Sequence, residues 1–223
     1  MLQRQRSGAA RVGESRLPMA VAVMVVAVMN LFMPTVYQVT ELGHLLYPGL
    51  MLVLLLILVI GDPRGLSRER RWPRVLSGVL ILVITLVALA TALRVLLVVL
   101  GDTGAIVALE LLRVAVVLWL TTNIAFALWY WHLDCGGPAA RAQGSAVVRP
   151  SFAFPEQGQD TLVAQAWYPQ FVDYLTLSFN TAMALGPADV SPLRHWAKLW
   201  MLTQSLFSLC MIYIVLTQAL GTL

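Results

Sequence analysis

Five long apolar segments dominate the pattern along this chain, and polar or turn-forming residues separate each from the next. They cover residues 17–33, 45–60, 75–100, 105–131 and 193–220. A helix needs roughly 20 residues to cross a hydrocarbon core of about 30 Å, and these segments reach or approach that length. The pattern predicts membrane-spanning helices. The first apolar run is also too long for the core of a signal peptide, which predicts a retained anchor.

A sixth segment, residues 166–185, is apolar enough to enter a membrane but carries polar and helix-breaking residues. Pro169, Asp173 and Asn180 suit a lipid-facing span poorly. Irregular backbone at membrane depth is tolerated where protein or a water-filled cavity surrounds it. The segment therefore forms either a short re-entrant helix, at about 170–183, or a sixth span buried among the others. The pattern leaves both alternatives open.

Residues 134–160 show neither helical nor strand periodicity and are rich in glycine, proline and alanine, which predicts a solvent-side loop. The chain is thus predicted to be an all-α, polytopic transmembrane protein with five spans plus a re-entrant, pore-like helix, or with six spans. Three parts are expected. These are a basic tail over 1–16, three N-terminal spans over 17–104, and a C-terminal module over 105–223 that contains the polar linker.

Composition strengthens the membrane assignment. The chain has 223 residues, of which 59% are hydrophobic and 12% charged, and its mean hydropathy is +0.79. Soluble domains are about 25% charged, so a soluble enzyme is excluded. No catalytic triad or phosphate loop is present, which predicts a protein that is not an enzyme and has no cofactor. His132, Asp134 and Cys135 lack a second ligand cluster, so no metal site is expected.

Arginines predict the orientation in the cell membrane. They precede the first span and crowd the connection between the second and third spans, at positions 4, 6, 11, 16, 64, 68, 70, 71 and 74. Positive residues stay on the cytoplasmic side, so the N-terminus of this multi-pass chain is expected inside. The net charge of +4 reflects this bias, which indicates contact with the lipid bilayer and not with nucleic acid.

The stretch SFNTAMALGPADVSP, residues 178–192, resembles the pore loop of tetrameric potassium channels, whose pattern runs roughly S-F-T-T-L-T-T-V-G-Y-G-D-I-x-P. The identical positions are Ser178, Phe179, Thr181, Gly186, Asp189 and Pro192. The order of parts is also similar, with an outer helix, a pore helix, a filter and an inner helix. The whole chain resembles a widespread, uncharacterised family of bacterial membrane proteins, through ALWYWHLDCGGPAARA and FVDYLTLSFNTAMALGPADVSPLRHWAK.

The resemblance implies a filter-like segment with altered chemistry. Its residues are Thr181, Met183, Ala184, Leu185, Gly186, Pro187, Ala188 and Asp189. Proline fixes φ near −65° and alanine resists positive φ, so Pro187 and Ala188 exclude the usual carbonyl ladder of a potassium filter. A ring of Asp189 carboxylates in a homo-tetramer would still attract monovalent cations.

Gln204 and Ser208 recur at helical spacing in the last span, and they would line such a pore or meet a neighbouring subunit. The resemblance therefore favours an ion-channel-like cation pore subunit whose filter is not of the potassium type. A non-conducting membrane scaffold and a small transporter of unknown substrate are the alternatives. With an N-terminus inside the cell, the pore loop would open toward the cytoplasm.

Three charged residues lie within the predicted third and fourth spans. Arg94 and Glu110 fall at nearly equal depth in an antiparallel hairpin, roughly 10 Å below its turn. Arg113 lies one helical turn from Glu110 and would share its carboxylate. Charges inside a membrane are costly and are usually paired. The spacing predicts a structural clamp between the two helices.

Overall fold

The computed structural model describes residues 14–38, 42–61, 71–101, 108–142, 149–157, 167–184 and 189–221. Within these ranges the chain is almost entirely helical, which confirms the predicted all-α class. The helices are α1 Leu17–Leu31, α2 Gly43–Gly61, α3 Arg71–Leu100, α4 Ala108–Leu133, α5 Pro138–Ala142, α6 Phe171–Ala184 and α7 His195–Gly221. Two short strands, β1 Phe152–Ala153 and β2 Ser191–Pro192, pair antiparallel.

Among the described residues, four helices are long and apolar enough to cross a membrane, namely α2, α3, α4 and α7. The predicted first span is shorter than expected, because α1 has 15 residues and is about 22 Å long. Its last turn is closed by bonds from the Phe32 and Met33 amides to carbonyls three residues earlier, and Pro34 follows. A helix usually ends before proline, which explains why the apolar run outlasts α1.

The helix α4 lies at the centre of the fold. It packs against α1, α3, α6 and α7, whereas α2 packs against α1 and α3 at the periphery. Tyr130 and Trp131 of α4 are almost completely buried and belong to the larger hydrophobic core. In contrast, large apolar side chains such as Leu56, Leu89 and Leu202 are exposed on the outer helices. An apolar surface of this kind suits contact with lipid, as in an integral membrane protein.

Three consecutive residues with positive φ end α4 and reverse the chain. They are Cys135 at 51°, Gly136 at 80° and Gly137 at 100°. A side chain at Gly137 would also be crowded, since a Cβ there would lie 3.2 Å from the carbonyl oxygen of His132. Glycine adopts positive φ without steric cost. The Gly-Gly pair therefore directs the chain back across the end of α4 and into α5.

The prediction of a solvent-side loop over 134–160 is wrong for the part that the structure describes. Asp134, Arg141 and Phe152 are buried. Strand β1 is held against β2, and the Leu193 amide donates to the Ser151 carbonyl at 2.7 Å. These contacts join residues far apart in sequence, so they leave no local period from which the structure could be predicted.

Candidate functional site: the short helix α6 and its acidic cleft

The short helix α6 has one buried face and one exposed face. Phe171, Tyr174 and Ser178 point inward, at helical spacing, while Thr176 and Asn180 are exposed. Its 14 residues extend about 21 Å, less than the hydrocarbon core. The helix begins where the carboxylate of Asp173 accepts a bond from the Gln170 amide at 2.7 Å. A negative charge in the first turn also suits the positive end of the helix dipole.

The start of α6 lies beside the C-terminal end of α4. The Phe171 amide donates to Oε1 of Glu14 at 2.5 Å, and Oε2 of the same carboxylate accepts from Nε1 of Trp131 at 2.8 Å. Glu14 thus links the chain before α1 to both helices. It satisfies one of the free amides that begin every helix.

The chain also returns to this end of α4 after α6. Strand β2 pairs with β1, and the neighbouring Ser151 amide donates to Oδ1 of Asp134 at 2.6 Å. Asp134 follows α4 directly. The segment therefore begins and ends beside the same end of α4, as a re-entrant helix would. Of the two alternatives for residues 166–185, this geometry favours the re-entrant helix over a sixth full span.

Contacts along α6 show how deeply it enters the fold. The Ser178 hydroxyl donates to the Asn123 carbonyl at 2.7 Å, and the ring of Phe179 meets that of Trp119 at 5.5 Å. Trp119 lies 12 residues before Trp131 on α4, or about 18 Å. The C-terminal half of α6 is therefore near the middle of the central helix.

A buried polar network holds α6 between α4 and α7, and Gln204 is its centre. Nε2 of Gln204 lies 2.8 Å from Oδ1 of Asn123 and 2.7 Å from Oγ of Ser178, and its Oε1 accepts from the Tyr130 hydroxyl at 2.7 Å. All four side chains are almost fully buried. In an apolar environment such bonds fix the relative positions of helices, because the groups have no water to replace a lost partner.

Gln204 and Ser208 were expected on a pore-lining or subunit-facing surface, and the structure places them elsewhere. Both lie inside the protomer, with 1% and 2% of their surface exposed. Ser208 accepts a bond from Nε1 of Trp119 at 2.8 Å. Their helical spacing does define one face of α7, but α4 and α6 cover that face.

A second buried cluster closes the end of α4. Nη1 of Arg141 donates to the carbonyls of Trp131 and Asp134, each at 2.8 Å, and its guanidinium lies 4.8 Å from the ring centre of Tyr174. Nη2 of Arg141 is 4.0 Å from Glu14. A cation at this position neutralises the negative end of the helix dipole. The Tyr174 hydroxyl donates to Asp134 at 2.6 Å, which ties α6 to the same cluster.

The environment of this cluster shifts its protonation equilibria. Burial raises the pKa of Glu14, whereas the bonds from Trp131 and Phe171 and the charge of Arg141 act in the opposite direction. Burial also raises the pKa of Tyr174 well above its ordinary value. Tyr174 therefore keeps its proton and acts as a donor to Asp134. The cluster is suited to holding helix ends together.

The exposed side of α6 borders a polar cleft of about 220 Å³. Its carboxylates come from three parts of the chain, namely Glu156, Asp173 and Asp189, and Thr176 and Asn180 line the cleft between them. Burial, together with the charge of Glu156, raises the pKa of Asp173. Carboxylate, hydroxyl and amide oxygens are ligands that suit small hard cations. Among the described residues, no group of three acidic, histidine or cysteine side chains is placed to hold a metal ion, so the carboxylates would act on cations at the open side of α6 only through their negative charge.

The structure covers the predicted filter only in part. Thr181 is buried and donates to the Leu177 carbonyl at 2.8 Å, Met183 is 71% exposed, and Ala184 ends α6. Leu185, Gly186, Pro187 and Ala188 lie outside the described residues. Their filter-like role stays a prediction. Asp189, where the description resumes, is exposed at the cleft.

The predicted charge cluster does not assemble. Arg94, Glu110 and Arg113 are all exposed, and no ion pair within 4.0 Å joins Arg94 to Glu110. The inward positions are taken by their neighbours Val95 and Leu111, each 1% exposed. Equal depth along the two helices is therefore not enough for pairing.

Sequence reasoning missed Glu14, Arg141 and Tyr174, although these residues determine where α6 begins. Glu14 belongs to the segment that was predicted to be a basic tail because of its arginines, and Arg141 belongs to the segment that was predicted to be a loop. A single carboxylate among arginines gives no signal of burial. Comparison of this chain with models of protein families, with curated proteins and with solved structures finds no match.

Proposed function

We propose that this integral membrane protein is a subunit of a cation-conducting pore of the pore-loop type, with α4, α6 and α7 as its pore module. One observation carries the proposal. The α6 segment begins and ends beside the same end of α4, with an exposed polar face between. A polar helix that enters a membrane part-way and returns is tolerated where protein or a water-filled cavity surrounds it.

The acidic cleft supports cations as the transported species. Glu156, Asp173 and Asp189 bring carboxylates to the open side of α6. Acidic rings at a pore entrance concentrate cations without selecting among them closely. Pro187 and Ala188 stand where a potassium filter needs other residues, so the proposed pore conducts monovalent cations without potassium selectivity.

The proposed pore forms between copies of the chain. The exposed face of α6 presents Val172, Thr176, Asn180 and Met183 in one stripe. A homo-tetramer around α6 and α7 would enclose this stripe and bring four Asp189 carboxylates together. If the arginines lie on the cytoplasmic side of the cell membrane, the pore entrance formed by the cleft faces the cytoplasm.

A non-conducting scaffold is the second candidate, and one observation favours it. Asn123, Ser178 and Gln204, the buried polar groups around α6, are satisfied by bonds within one protomer. A helix held by these bonds could have a purely structural role as readily as a role in conduction. No comparable observation favours the small transporter.

Current through planar bilayers tests the proposal. At low salt, Asp189→Asn is expected to reduce the cation conductance of the reconstituted protein at least about fivefold, because it removes four carboxylates from the proposed tetramer and one nearby charge alone attracts a cation by ~1 kcal/mol. The difference should shrink at 1 M salt, where the Debye length falls to about 3 Å.

Glu110→Gln serves as the matched control, since Glu110 is an exposed carboxylate in the first turn of α4, away from the cleft. It should conduct as the wild type does. The cation-pore proposal fails if the wild-type protein carries no current under any gradient, in bilayers with and without anionic lipid. The non-conducting scaffold would then be the proposed function.

A further inference from the structure

An apolar crevice separates α3 from α7 on the surface of α4. It has a volume of about 240 Å³ and is lined by side chains of all three helices, among them Thr85, Phe126, Trp129, Trp200, Thr203 and Phe207. Trp200 and Phe207 mark its ends and are seven residues apart, so it runs about 10 Å along α7. Two polar groups in the wall of the crevice bond to each other, since Nε1 of Trp129 donates to the Thr85 hydroxyl at 2.8 Å.

The crevice opens sideways, onto the part of the surface that would face lipid. Leu89 and Thr203 at its edge are exposed. Candidate spans form all three of its walls, so it lies at hydrocarbon depth. Two helices in direct contact would bury such an apolar surface against each other, but α3 and α7 are separated here and the surface between them stays uncovered. An acyl chain is the apolar group available at that depth.

A basic residue lies beyond the aromatic end of the crevice. The rings of Trp129 and Trp200 contact each other at this end, with their centres 5.6 Å apart. Tryptophan side chains are enriched at headgroup depth. Arg74, in the first turn of α3, is exposed on the same helical face as Gly78 and Thr85. Gly78 brings α3 against His132, since a Cβ on it would lie 3.3 Å from Nε2 of that ring, and Arg74 is close enough to disfavour protonation of the same ring.

We propose that this crevice binds one anionic phospholipid, with an acyl chain between α3 and α7 and the headgroup phosphate at Arg74. Two features identify this occupant. The positive charge of Arg74 suits an anionic headgroup, and the apolar surface along the rest of the crevice suits an acyl chain. A zwitterionic lipid would fill the crevice equally well but would gain less at Arg74, because its headgroup has no net negative charge. Binding does not depend on whether the protein conducts.

Native mass spectrometry of the full chain, released from micelles containing equal amounts of phosphatidylglycerol and phosphatidylcholine with the same acyl chains, tests the proposal. Wild-type protein should retain one phosphatidylglycerol per protomer. Arg74→Gln should reduce the preference for phosphatidylglycerol about fivefold, the factor that corresponds to ~1 kcal/mol for one basic residue at a membrane surface. Thr203→Phe should abolish retention of both lipids, because the larger ring fills the crevice from its exposed edge.

Two matched variants serve as controls. Arg94→Gln removes an exposed arginine from the other end of α3, and Leu206→Phe enlarges an exposed residue of α7 that does not line the crevice. Both should retain lipid as the wild type does. Unchanged lipid preference in Arg74→Gln, or wild-type retention in Thr203→Phe, would overturn the proposal, as would equal retention of the two lipids by the wild type.

Discussion

Replacing Glu14 by alanine is expected to destabilise the protein by about 3–5 kcal/mol, the usual effect of removing one partner from a buried charge pair. Glu14 is 2% exposed and lies 4.0 Å from Arg141, which is 5% exposed. Without the carboxylate, the guanidinium loses its nearest negative charge. The Trp131 indole and the Phe171 amide lose their acceptor as well.

Thermal unfolding in detergent and hydrogen exchange measure the two consequences. The melting temperature should fall by roughly 2–4 °C for each kcal/mol in a chain of this length. Exchange should accelerate at the first turn of α6, where the Phe171 amide loses its partner. Glu110→Ala is the control, because an exposed carboxylate without an ion pair to Arg94 should change stability by less than about 0.5 kcal/mol.

A double-mutant cycle separates the specific interaction from general damage. If Glu14 and Arg141 stabilise each other, the Glu14→Ala, Arg141→Ala double variant should be more stable than the sum of the single effects predicts, by about 1 kcal/mol or more. Strict additivity of the two substitutions would show that the pair is not coupled.

Replacing Gln204 by leucine is expected to loosen α6 from α4 and α7. The side chain bonds to Tyr130, Asn123 and Ser178, which come from two other helices. Interhelical bonds in membrane proteins contribute about 0.6 kcal/mol on average and at most about 1.7 kcal/mol. The loss of one bond by each of three partners should therefore destabilise the protein by about 2–4 kcal/mol, and the melting temperature should fall by about 5–15 °C.

The location of the effect distinguishes this network from general packing. Hydrogen exchange should increase in α6 and in the facing part of α7, and it should stay unchanged in α2, which packs against α1 and α3. Thr203→Ala is the matched control, since this exposed neighbour bonds only to the Leu199 carbonyl of its own helix. Equal effects of the two substitutions would contradict a central role for Gln204.

The sequence predicted the long helices well because hydrophobicity alone determines them. The predicted spans 45–60 and 75–100 correspond to Gly43–Gly61 and Arg71–Leu100, and the predicted short helix at 170–183 corresponds to Phe171–Ala184. In each case the boundary follows from a change between apolar and polar residues, or from Asp173 in the first turn. These are local signals that a single sequence contains.

The buried polar contacts could not be predicted in the same way. Glu14 and Phe171 are 157 residues apart, and Tyr130 and Gln204 are 74 apart. Hydrogen bonds of this kind depend on which faces of the helices meet, and neither hydropathy nor spacing contains that information. The same limit explains why Arg94 and Glu110 were expected to pair, although no ion pair within 4.0 Å joins them in the structure.

The most direct test of the re-entrant helix is the side of the membrane from which its two ends are reached. Single cysteines at Gln170 and Ser191, which are exposed before and after the α6 segment, are introduced into a background lacking Cys135 and Cys210. Val36, exposed in the connection between α1 and α2 near the opposite end of α4, provides the reference. Each variant is then labelled with a membrane-impermeant maleimide in intact cells and in inverted membrane vesicles.

A re-entrant α6 requires the cysteines at 170 and 191 to react from the same side, and the one at 36 from the other. On the arginine distribution, positions 170 and 191 should react in inverted vesicles and position 36 in intact cells. Labelling of positions 170 and 191 from opposite sides would make residues 166–185 a full span and would contradict the account.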